Sequence, residues 1–362
     1  MDELRLTSRH IPSPADHPPE GQKRFRLTIE YDGTAYSGWQ RQINGPSVQQ
    51  TLEEALARLT GETIGVVGSS RTDAGVHACG LCAHFDSATR VPPEKICFAL
   101  NTMLPPDIRI RESMLAPEGF HARFSACGKV YRYTFCNARH ACAIGRQYKA
   151  HAPMPMDAER MHEEAQSLCG RHDFAAFAAS GSVAKSTVRT IYRAQVERQG
   201  EDVVLTVLGD GFLYNMVRII AGTLMEVGTG KREPGCIARA IATGDRLLLG
   251  QTAPACGLTL MRVLYDGDEE KLNKTMASFE DSYAERVKTV VLEHRGQEGS
   301  CGESVSADRG AAENSSYGMA GKGPEDTSEA AAKEKAGKWD CGIVWCCDAA
   351  MAAAQVTTEF VT

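Results

Sequence analysis

The sequence contains no long apolar run, and its longest apolar stretches fall far short of the roughly 20 residues that a membrane-spanning helix needs. The first ten residues carry Asp2 and Glu3 and no apolar core, which disfavours a secretory signal and weakens a mitochondrial one. The 13 cysteines are scattered and odd in number, a pattern that favours reduced thiols over a disulfide scaffold. We therefore expect a cytoplasmic protein without a membrane partner.

The sequence also has few of the patterns that bind nucleotides or metals. No GxxxxGK[ST] or GxGxxG motif stands between a predicted strand and a helix, which counts against a nucleotide-driven enzyme. Cys79 and Cys82 have the CxxC spacing but no second pair, and both fall in a predicted strand, so buried small side chains are favoured over zinc. Cys136, His140 and Cys142 crowd one loop, where a zinc site is the less favoured alternative. We expect no metal and no small-molecule cofactor.

The charge is unevenly distributed along the chain. The formal net charge is −6, from 40 Lys and Arg against 46 Asp and Glu. Residues 271–362 hold 10 basic and 15 acidic residues, whereas residues 24–267 hold 27 basic and 24 acidic ones. The acidity therefore belongs to the C-terminal segment, and the slightly basic remainder can present a basic face to a polyanion without demonstrating one.

Composition divides the chain into three segments. Residues 1–23 are polar and contain four prolines, which predicts a flexible arm. Residues 24–267 alternate between strand and helix patterns and form the predicted core. Residues 268–362 form an acidic extension that we expect to be largely disordered, because 296–338 has almost no large apolar side chains to offset its ordering entropy. The apolar end, from 341, either docks on the core or on a partner, or stays loose.

Periodicity within the core predicts an α+β fold. Strands are predicted at 26–31, 83–88, 130–137, 190–199 and 202–211, and helices at 48–59, 92–104, 156–170 and about 213–227. Ser47 is the predicted N-cap of the first helix, and Gly170 is predicted to end the third. The elements lack regular βαβ spacing, which favours an α+β fold over a doubly wound sheet. A DG-x-x-Tyr pattern follows both an early and a late strand, as duplication or chance would produce.

The densest chemical pattern is the run GSSRTDAGVHACGLCAHF at 68–85. Its small residues flank Arg71 and Asp73 and would let a loop approach a ligand closely. A carboxylate beside arginines stays ionised at neutral pH and can act as a nucleophile. Judged on the local pattern alone, a turn with a surface ion pair is the more frequent explanation.

Two later features favour a site. Arg218 shares its predicted helix face with Tyr214 and Gly222, so it has room to reach inward and hold a carboxylate by two hydrogen bonds. Tyr131 and Tyr133 lie on one side of a predicted strand, either as an aromatic surface for a flat base or as core residues. An exposed arginine is the alternative for Arg218.

At this point the residues resemble the TruA family of tRNA pseudouridine synthases, over about Arg24 to Val263. The matching motifs occur in the family's order: YDGTAYSGWQRQ (31–42), RTDAGVHA (71–78), FHARFSA (120–126), YRY (131–133), HDFAAF (172–177), TVRTI (187–191), GDGFLYNMVRIIAGTL (209–224) and APACGLTL (253–260). The resemblance implies a pseudouridine-synthase fold, with a central, mainly antiparallel sheet in two similar halves (24–126 and 127–267) and a catalytic cleft between them.

The resemblance also implies roles for individual residues. Asp73 matches the catalytic aspartate, and Arg218 matches the arginine that pairs with it and that would keep its pKa low. Tyr131 matches the tyrosine that stacks on the target uracil and is proposed to take part in proton transfer. Arg71 matches the arginine that fills the space of the extruded nucleotide, and Leu258 an apolar residue that packs on the target base.

The expected reaction and partners follow from the same resemblance. We expect a homodimer that binds tRNA across both subunits and isomerises uridines 38, 39 and 40 of the anticodon stem-loop. Many bacterial relatives have glycine where this chain has Ser70, which leaves the target positions open. The alternatives are a synthase that acts at other tRNA positions or on several RNAs, and a non-catalytic tRNA-binding protein. The last would predict a damaged Asp73, Tyr131 or Arg218, and all three are present.

Overall fold

The computed structural model covers the predicted core. It describes Ser13, 17–179, 181 and 184–266. Most of the predicted arm, residues 1–23, and all of the predicted extension, residues 268–362, lie outside the described residues. The division of the core into 24–126 and 127–267 stays a prediction.

The described residues form strands and helices in an α+β arrangement. The strands are β1 (Lys23–Tyr31), β2 (Val67–Gly68), β3 (His77–Ser87), β4 (Ile108–Leu115), β5 (Gly128–Cys136), β6 (Ala150–His151), β7 (Gly170–Asp173), β8 (Val188–Gln199), β9 (Asp202–Gly209) and β10 (Leu258–Leu264). The helices are α1 (Val48–Thr60), α2 (Pro93–Asn101), α3 (Ala158–Gln166), α4 (Met216–Gly228) and α5 (Cys236–Thr243). Short 3-10 turns lie at Gly33–Ala35, Arg146–Tyr148, Ala175–Phe177, Arg246–Leu248 and Ala255–Gly257.

Helix α1 shows how the sequence sets local structure. The Ser47 hydroxyl accepts a hydrogen bond from the Gln50 amide at 3.2 Å, which confirms the predicted N-cap. Val48, Leu52 and Leu56 lie along one side of the helix and are fully buried. The apolar stripe therefore holds the helix against the core.

Three predicted helix ends are wrong, and the first is that of α2, which ends at Asn101 rather than at 104. Helix α3 ends at Gln166 rather than at Gly170, and Gly170, at φ 111°, begins β7 instead. Helix α4 begins at Met216 rather than near 213, because Asn215 adopts a left-handed conformation at φ 59°. A left-handed residue cannot continue an α-helix, so the segment before Asn215 forms a turn.

The ten strands form one sheet in the order β4-β1-β3-β10-β5-β9-β8-β7, with β2 beside β3 and β6 beside β5. The pairs are antiparallel except β10 with β3 and β6 with β5, which confirms the mainly antiparallel prediction. Strand β1 lies between β3 and β4, and β9 lies between β5 and β8. These two three-stranded groups are joined by β10.

Strand β10 also brings distant motifs to one place. Its residue Leu260 pairs with Ala78 at the start of β3 and with Tyr131 on β5. The loop before β3, which carries Asp73, therefore lies at the same region of the sheet as Tyr131. Sheet register, rather than closeness in sequence, positions the site.

Candidate active site

A loop over residues 69–76 connects β2 to β3 and carries Asp73. The Ser69 amide donates to the Cys82 carbonyl at 2.8 Å, which fixes the start of the loop to β3. The Val76 amide donates to the Asp73 carbonyl at 3.1 Å, which closes a tight turn at its end. The Asp73 side chain is 24% exposed, so the carboxylate is accessible yet largely removed from water.

The segment after β1 packs closely against the backbone of this loop. A Cβ on Gly33 would lie 2.0 Å from the Val76 carbonyl oxygen. A Cβ on Gly38, whose φ is +94°, would lie 2.4 Å from the Thr72 carbonyl oxygen. The Trp39 amide donates to that same carbonyl at 3.2 Å. Both glycines therefore allow a backbone approach that any side chain would prevent.

Arg218, in the first turn of α4, reaches Asp73 from a distant part of the chain. Its Nη1 donates to Oδ2 of Asp73 at 3.2 Å and to Oδ1 of Asn215 at 2.8 Å, and its Nε donates to the Ala253 carbonyl at 2.8 Å. The prediction of a contact between the two side chains is confirmed. The prediction of two hydrogen bonds is wrong: within the described structure there is one, because a backbone carbonyl takes Nε.

Gly222 helps to place Arg218, although not in the way that we predicted. A Cβ on Gly222 would lie 1.8 Å from the Gln251 carbonyl oxygen, so glycine makes room for the segment that ends at Ala253. That segment supplies the carbonyl that holds the Arg218 Nε. Tyr214 precedes the helix and is 49% exposed, so it does not share the helix face.

Burial, rather than the arginine, dominates the electrostatics of Asp73. Loss of hydration raises the pKa of Asp73 above its ordinary value, and the charge and hydrogen bond of Arg218 oppose this rise without cancelling it. Arg218 lowers this pKa as expected, but the net shift is upward, so the expectation of a low pKa is wrong. The guanidinium limits the rise and fixes one carboxylate oxygen.

Tyr131 lies on β5 beside the aspartate loop. Its hydroxyl is 3.0 Å from the Ser70 hydroxyl, and its ring and that of Phe212 form an edge-to-face pair with the centroids 5.1 Å apart. Burial raises the pKa of Tyr131 to about 12, and the nearby charge of Asp73 adds to the rise. The residue is only 6% exposed, so its hydroxyl meets the loop while most of its ring is covered.

Tyr133 is a core residue, which was one of the two alternatives predicted for it from the sequence. It is fully buried, and its hydroxyl donates to the Pro254 carbonyl at 2.7 Å. A continuous aromatic surface of Tyr131 and Tyr133 is therefore absent from the described structure, and Tyr131 alone meets the loop.

The other two predicted residues occupy contrasting environments. Arg71 is exposed and makes no hydrogen bond or ion pair with another described residue. Leu258 begins β10 opposite Tyr133 and is 6% exposed. The structure thus brings Asp73, Arg218 and Tyr131 together, leaves Arg71 in solvent on the same loop, and places Leu258 in the neighbouring strand.

Two polar residues at the site were not predicted. Lys129 donates from Nζ to the Ser69 carbonyl at 2.8 Å and to the Ser70 hydroxyl at 3.4 Å. Burial, followed by the charges of Arg123 and Arg189, lowers the pKa of Lys129 to about 8. The spacing of Lys129 and Tyr131 could have revealed the lysine, because residues two apart on a strand share a face.

The described part of the chain contains no cluster of three or more His, Cys, Asp or Glu residues placed to hold a metal ion. None of its helices is long and apolar enough to cross a membrane. A cavity of about 320 Å³ opens elsewhere, beside Arg24, His84, Asp86 and His121.

Comparison with known proteins identifies the family. A family model described as tRNA pseudouridine synthase matches residues 27–125 and 165–266. The chain belongs to this family. The synthase is therefore an isomerase, and its α+β core is a pseudouridine-synthase fold.

Individual relatives agree with this assignment. Proteins named tRNA pseudouridine synthase A from Ruminiclostridium cellulolyticum and Acetivibrio thermocellus are each 48% identical to the synthase, and one from Geotalea uraniireducens is 46% identical. Each match covers 67% of this chain and 100% of the relative. The match to a chain of a solved Cbf5-Nop10-Gar1 complex covers 74% of this chain and 59% of that chain, at 14% identity. Its TM-score of 0.29 is too low to carry an argument.

Proposed function

We propose that this synthase isomerises uridines 38, 39 and 40 in the anticodon stem-loop of tRNA, with Asp73 as the nucleophile. The observation that carries the proposal is the hydrogen bond between Asp73 and Arg218, formed in a partly open loop beside Tyr131. Relatives that match over their full length are named for tRNA pseudouridine synthesis, which supports the substrate class.

The chemistry needs few groups. The enzyme breaks the N–C bond between uracil and ribose, turns the base and forms a C–C bond, with no net redox change. One carboxylate must hold the intermediate while the base turns, by attack on either the sugar carbon or the base. Arg218 fixes the orientation of Asp73, which places the nucleophile before the substrate arrives.

A proton must then leave the carbon that joins the sugar. The Tyr131 hydroxyl, or a water that it orients, is our candidate for receiving it. Since burial raises the pKa of Tyr131 to about 12, this phenol is neutral at physiological pH. A neutral hydroxyl suits a role in orienting water or passing on a proton.

The target base must leave its stack before it can reach Asp73. Extrusion costs a few kcal/mol, which stacking and phosphate contacts offset. Arg71 has a suitable position for filling the vacated space, because its side chain is exposed and makes no hydrogen bond or ion pair with another described residue. Leu258 would pack on the extruded base.

The partner and compartment follow from the same proposal. We place the enzyme in the cytoplasm as a homodimer, with tRNA lying across both subunits. The positive charges of Arg123 and Arg189 near Lys129 suit an RNA phosphate backbone.

Position mapping tests the function. An unmodified tRNA carrying uridines at 38, 39 and 40 is incubated with the enzyme, and pseudouridine is located by carbodiimide labelling and primer extension. We expect labelling at these positions with wild type and none with Asp73→Asn. Pseudouridine only at other positions would refute the site assignment, and formation by the variant would refute the nucleophile. Light scattering of the purified protein tests the homodimer.

A further inference from the structure

The aspartate loop and β5 are joined by a short chain of side chains. Lys129 and Tyr131 lie on the same face of β5, two residues apart. The Lys129 ammonium is 2.8 Å from the Ser69 carbonyl oxygen and 3.4 Å from the Ser70 hydroxyl oxygen, and the Ser70 hydroxyl is 3.0 Å from that of Tyr131. Ser70 therefore stands between a cation and a phenol.

We propose that Lys129 and Ser70 are positioning residues that hold the Tyr131 hydroxyl in one orientation for the isomerisation, an inference that rests on the proposed function. The chain also fixes the two residues that precede Arg71, so it ties the aspartate loop to the strand that carries the tyrosine.

Donor and acceptor rules fix the direction of one bond in this series. An ammonium group donates and cannot accept, so the Ser70 oxygen accepts from Lys129. Either hydroxyl can be the donor in the bond between Ser70 and Tyr131. When Ser70 donates, the phenol hydrogen points away from Ser70 and can orient a water beside it, our candidate for receiving the proton that leaves the carbon.

The environment of Lys129 argues against a purely structural lysine. Among the described residues no carboxylate lies within ion-pair distance of its ammonium. The charged groups that act on it are Arg123, before β5, and Arg189, on β8, and both are positive. A partly buried ammonium with cationic neighbours is costly, so its contacts with Ser69 and Ser70 need another reason to be kept.

A double-mutant cycle tests the chain. We expect Ser70→Ala to lower kcat about tenfold, the typical loss for one hydrogen bond, with KM changed less than about twofold. Ser70→Thr keeps the hydroxyl and should restore most of kcat. In a Tyr131→Phe background, Ser70→Ala should cause no further loss, because its effect passes through the phenol. Ser87→Ala, a fully buried serine bonded to Glu62, is the matched control and should leave kcat unchanged.

A second measurement does not depend on activity. Fluorotyrosine at position 131 reports the ionisation of this phenol by fluorine NMR. Since the hydrogen bond from Ser70 lowers the pKa of Tyr131, we expect Ser70→Ala to raise it. The pKa of the phenol therefore tests the contact between Ser70 and Tyr131 even if Tyr131→Phe leaves too little activity to measure.

The pH dependence tests the part played by Lys129. Deprotonated Lys129 can accept from Ser70 and so reverse the chain, whereas arginine keeps its charge. We expect kcat to fall as the pH rises through about 8 in wild type and to stay level in Lys129→Arg. The groups facing this chain are Arg123, Arg189 and, across Tyr131, Asp73.

The outcomes separate this inference from the proposed function. Three results would refute the positioning role of Lys129 and Ser70 while pseudouridine formation by wild type stands. They are equal proportional losses from Ser70→Ala in the wild-type and Tyr131→Phe backgrounds, a change in KM alone, and an unchanged pKa of Tyr131. Absence of pseudouridine at every tRNA position with wild type would instead refute the proposed function.

Discussion

The Arg218 guanidinium lies 3.2 Å from the Asp73 carboxylate, although the two residues are 145 positions apart. The loop after β2 supplies the carboxylate, and the first turn of α4 supplies the guanidinium. The arginine is held separately by Asn215 and the Ala253 carbonyl, so it keeps its place when the carboxylate changes.

Replacing Asp73 should separate catalysis from binding and folding. We expect Asp73→Asn to abolish pseudouridine formation while RNA affinity stays within about tenfold, since phosphate contacts dominate affinity. Because the folded state raises the pKa of Asp73, its charge costs stability as the pH rises above the ordinary value of 3.8. The free energy of unfolding at neutral pH should therefore be equal or higher in the variant.

Urea unfolding and filter binding measure these effects. Asp202→Asn, which breaks an ion pair with Lys149, is the matched control and should keep its activity. A loss of more than about 1 kcal/mol in Asp73→Asn would show that the carboxylate stabilises the fold.

The acid side of the pH profile should report Asp73. Its raised pKa places the acidic decline of kcat/KM at higher pH than for an ordinary aspartate. Arg218→Met removes the group that opposes the rise, so this decline should move to still higher pH. Profiles of both proteins over pH 4–8, with a tRNA substrate, measure the shift. A decline at the same pH in both would mean that another group controls it.

Gly38 should be irreplaceable because two penalties coincide there. Alanine would be strained at φ +94°, and its Cβ would meet the Thr72 carbonyl oxygen at 2.4 Å. We expect Gly38→Ala to lower the free energy of unfolding by about 2 kcal/mol or more and to remove activity. Gly61→Ala is the matched control: its φ is +74°, but nothing lies within 4 Å of the added Cβ. It should cost about 1 kcal/mol and keep activity. Similar losses in both variants would contradict the role of close approach.

Lys129 should make stability depend on alkaline pH. Its pKa falls from 10.5 to about 8 on folding, so the unfolded chain binds more protons between these values. The free energy of unfolding should therefore rise with pH across this window, by at most about 3 kcal/mol. Lys129→Met should lack this rise relative to wild type, whereas Lys95→Met, at an exposed position, should keep it. Parallel curves for wild type and Lys129→Met would refute burial as the cause.

The predicted strands and helices were mostly found because their apolar residues follow the strand or helix period. The N-cap at Ser47 was found because a hydroxyl before an apolar stripe has a local role. The ends at Gly170 and near residue 213 were missed, because glycine also begins strands and because Asn215 adopts a left-handed conformation that few signals reveal.

Some residues of the candidate site were likewise predicted from the sequence and others were not. Asp73, Arg218 and Tyr131 were identified from motifs whose order resembles a family, and their proximity is seen in the structure. The contact between Lys129 and Ser70 was missed. Ser70 was noted only as a departure from the glycine of many bacterial relatives, and its contact with Lys129 depends on how the loop meets β5.

The sequence by itself determined five of the ten strands and four of the five helices of the described structure, where the chain carries its acidity, and which carboxylate and arginine could act together, because these depend on side-chain period, composition and motif. It did not reveal β10, which joins the two halves of the site. Only the tertiary structure decided that Arg218 makes one hydrogen bond to Asp73, that burial raises the pKa of Asp73, and that Ser70 lies between Lys129 and Tyr131. Hydration and hydrogen-bond geometry depend on which distant segments of the chain contact each other. Those contacts are set by the register of the sheet and by the close backbone approaches at Gly33, Gly38 and Gly222.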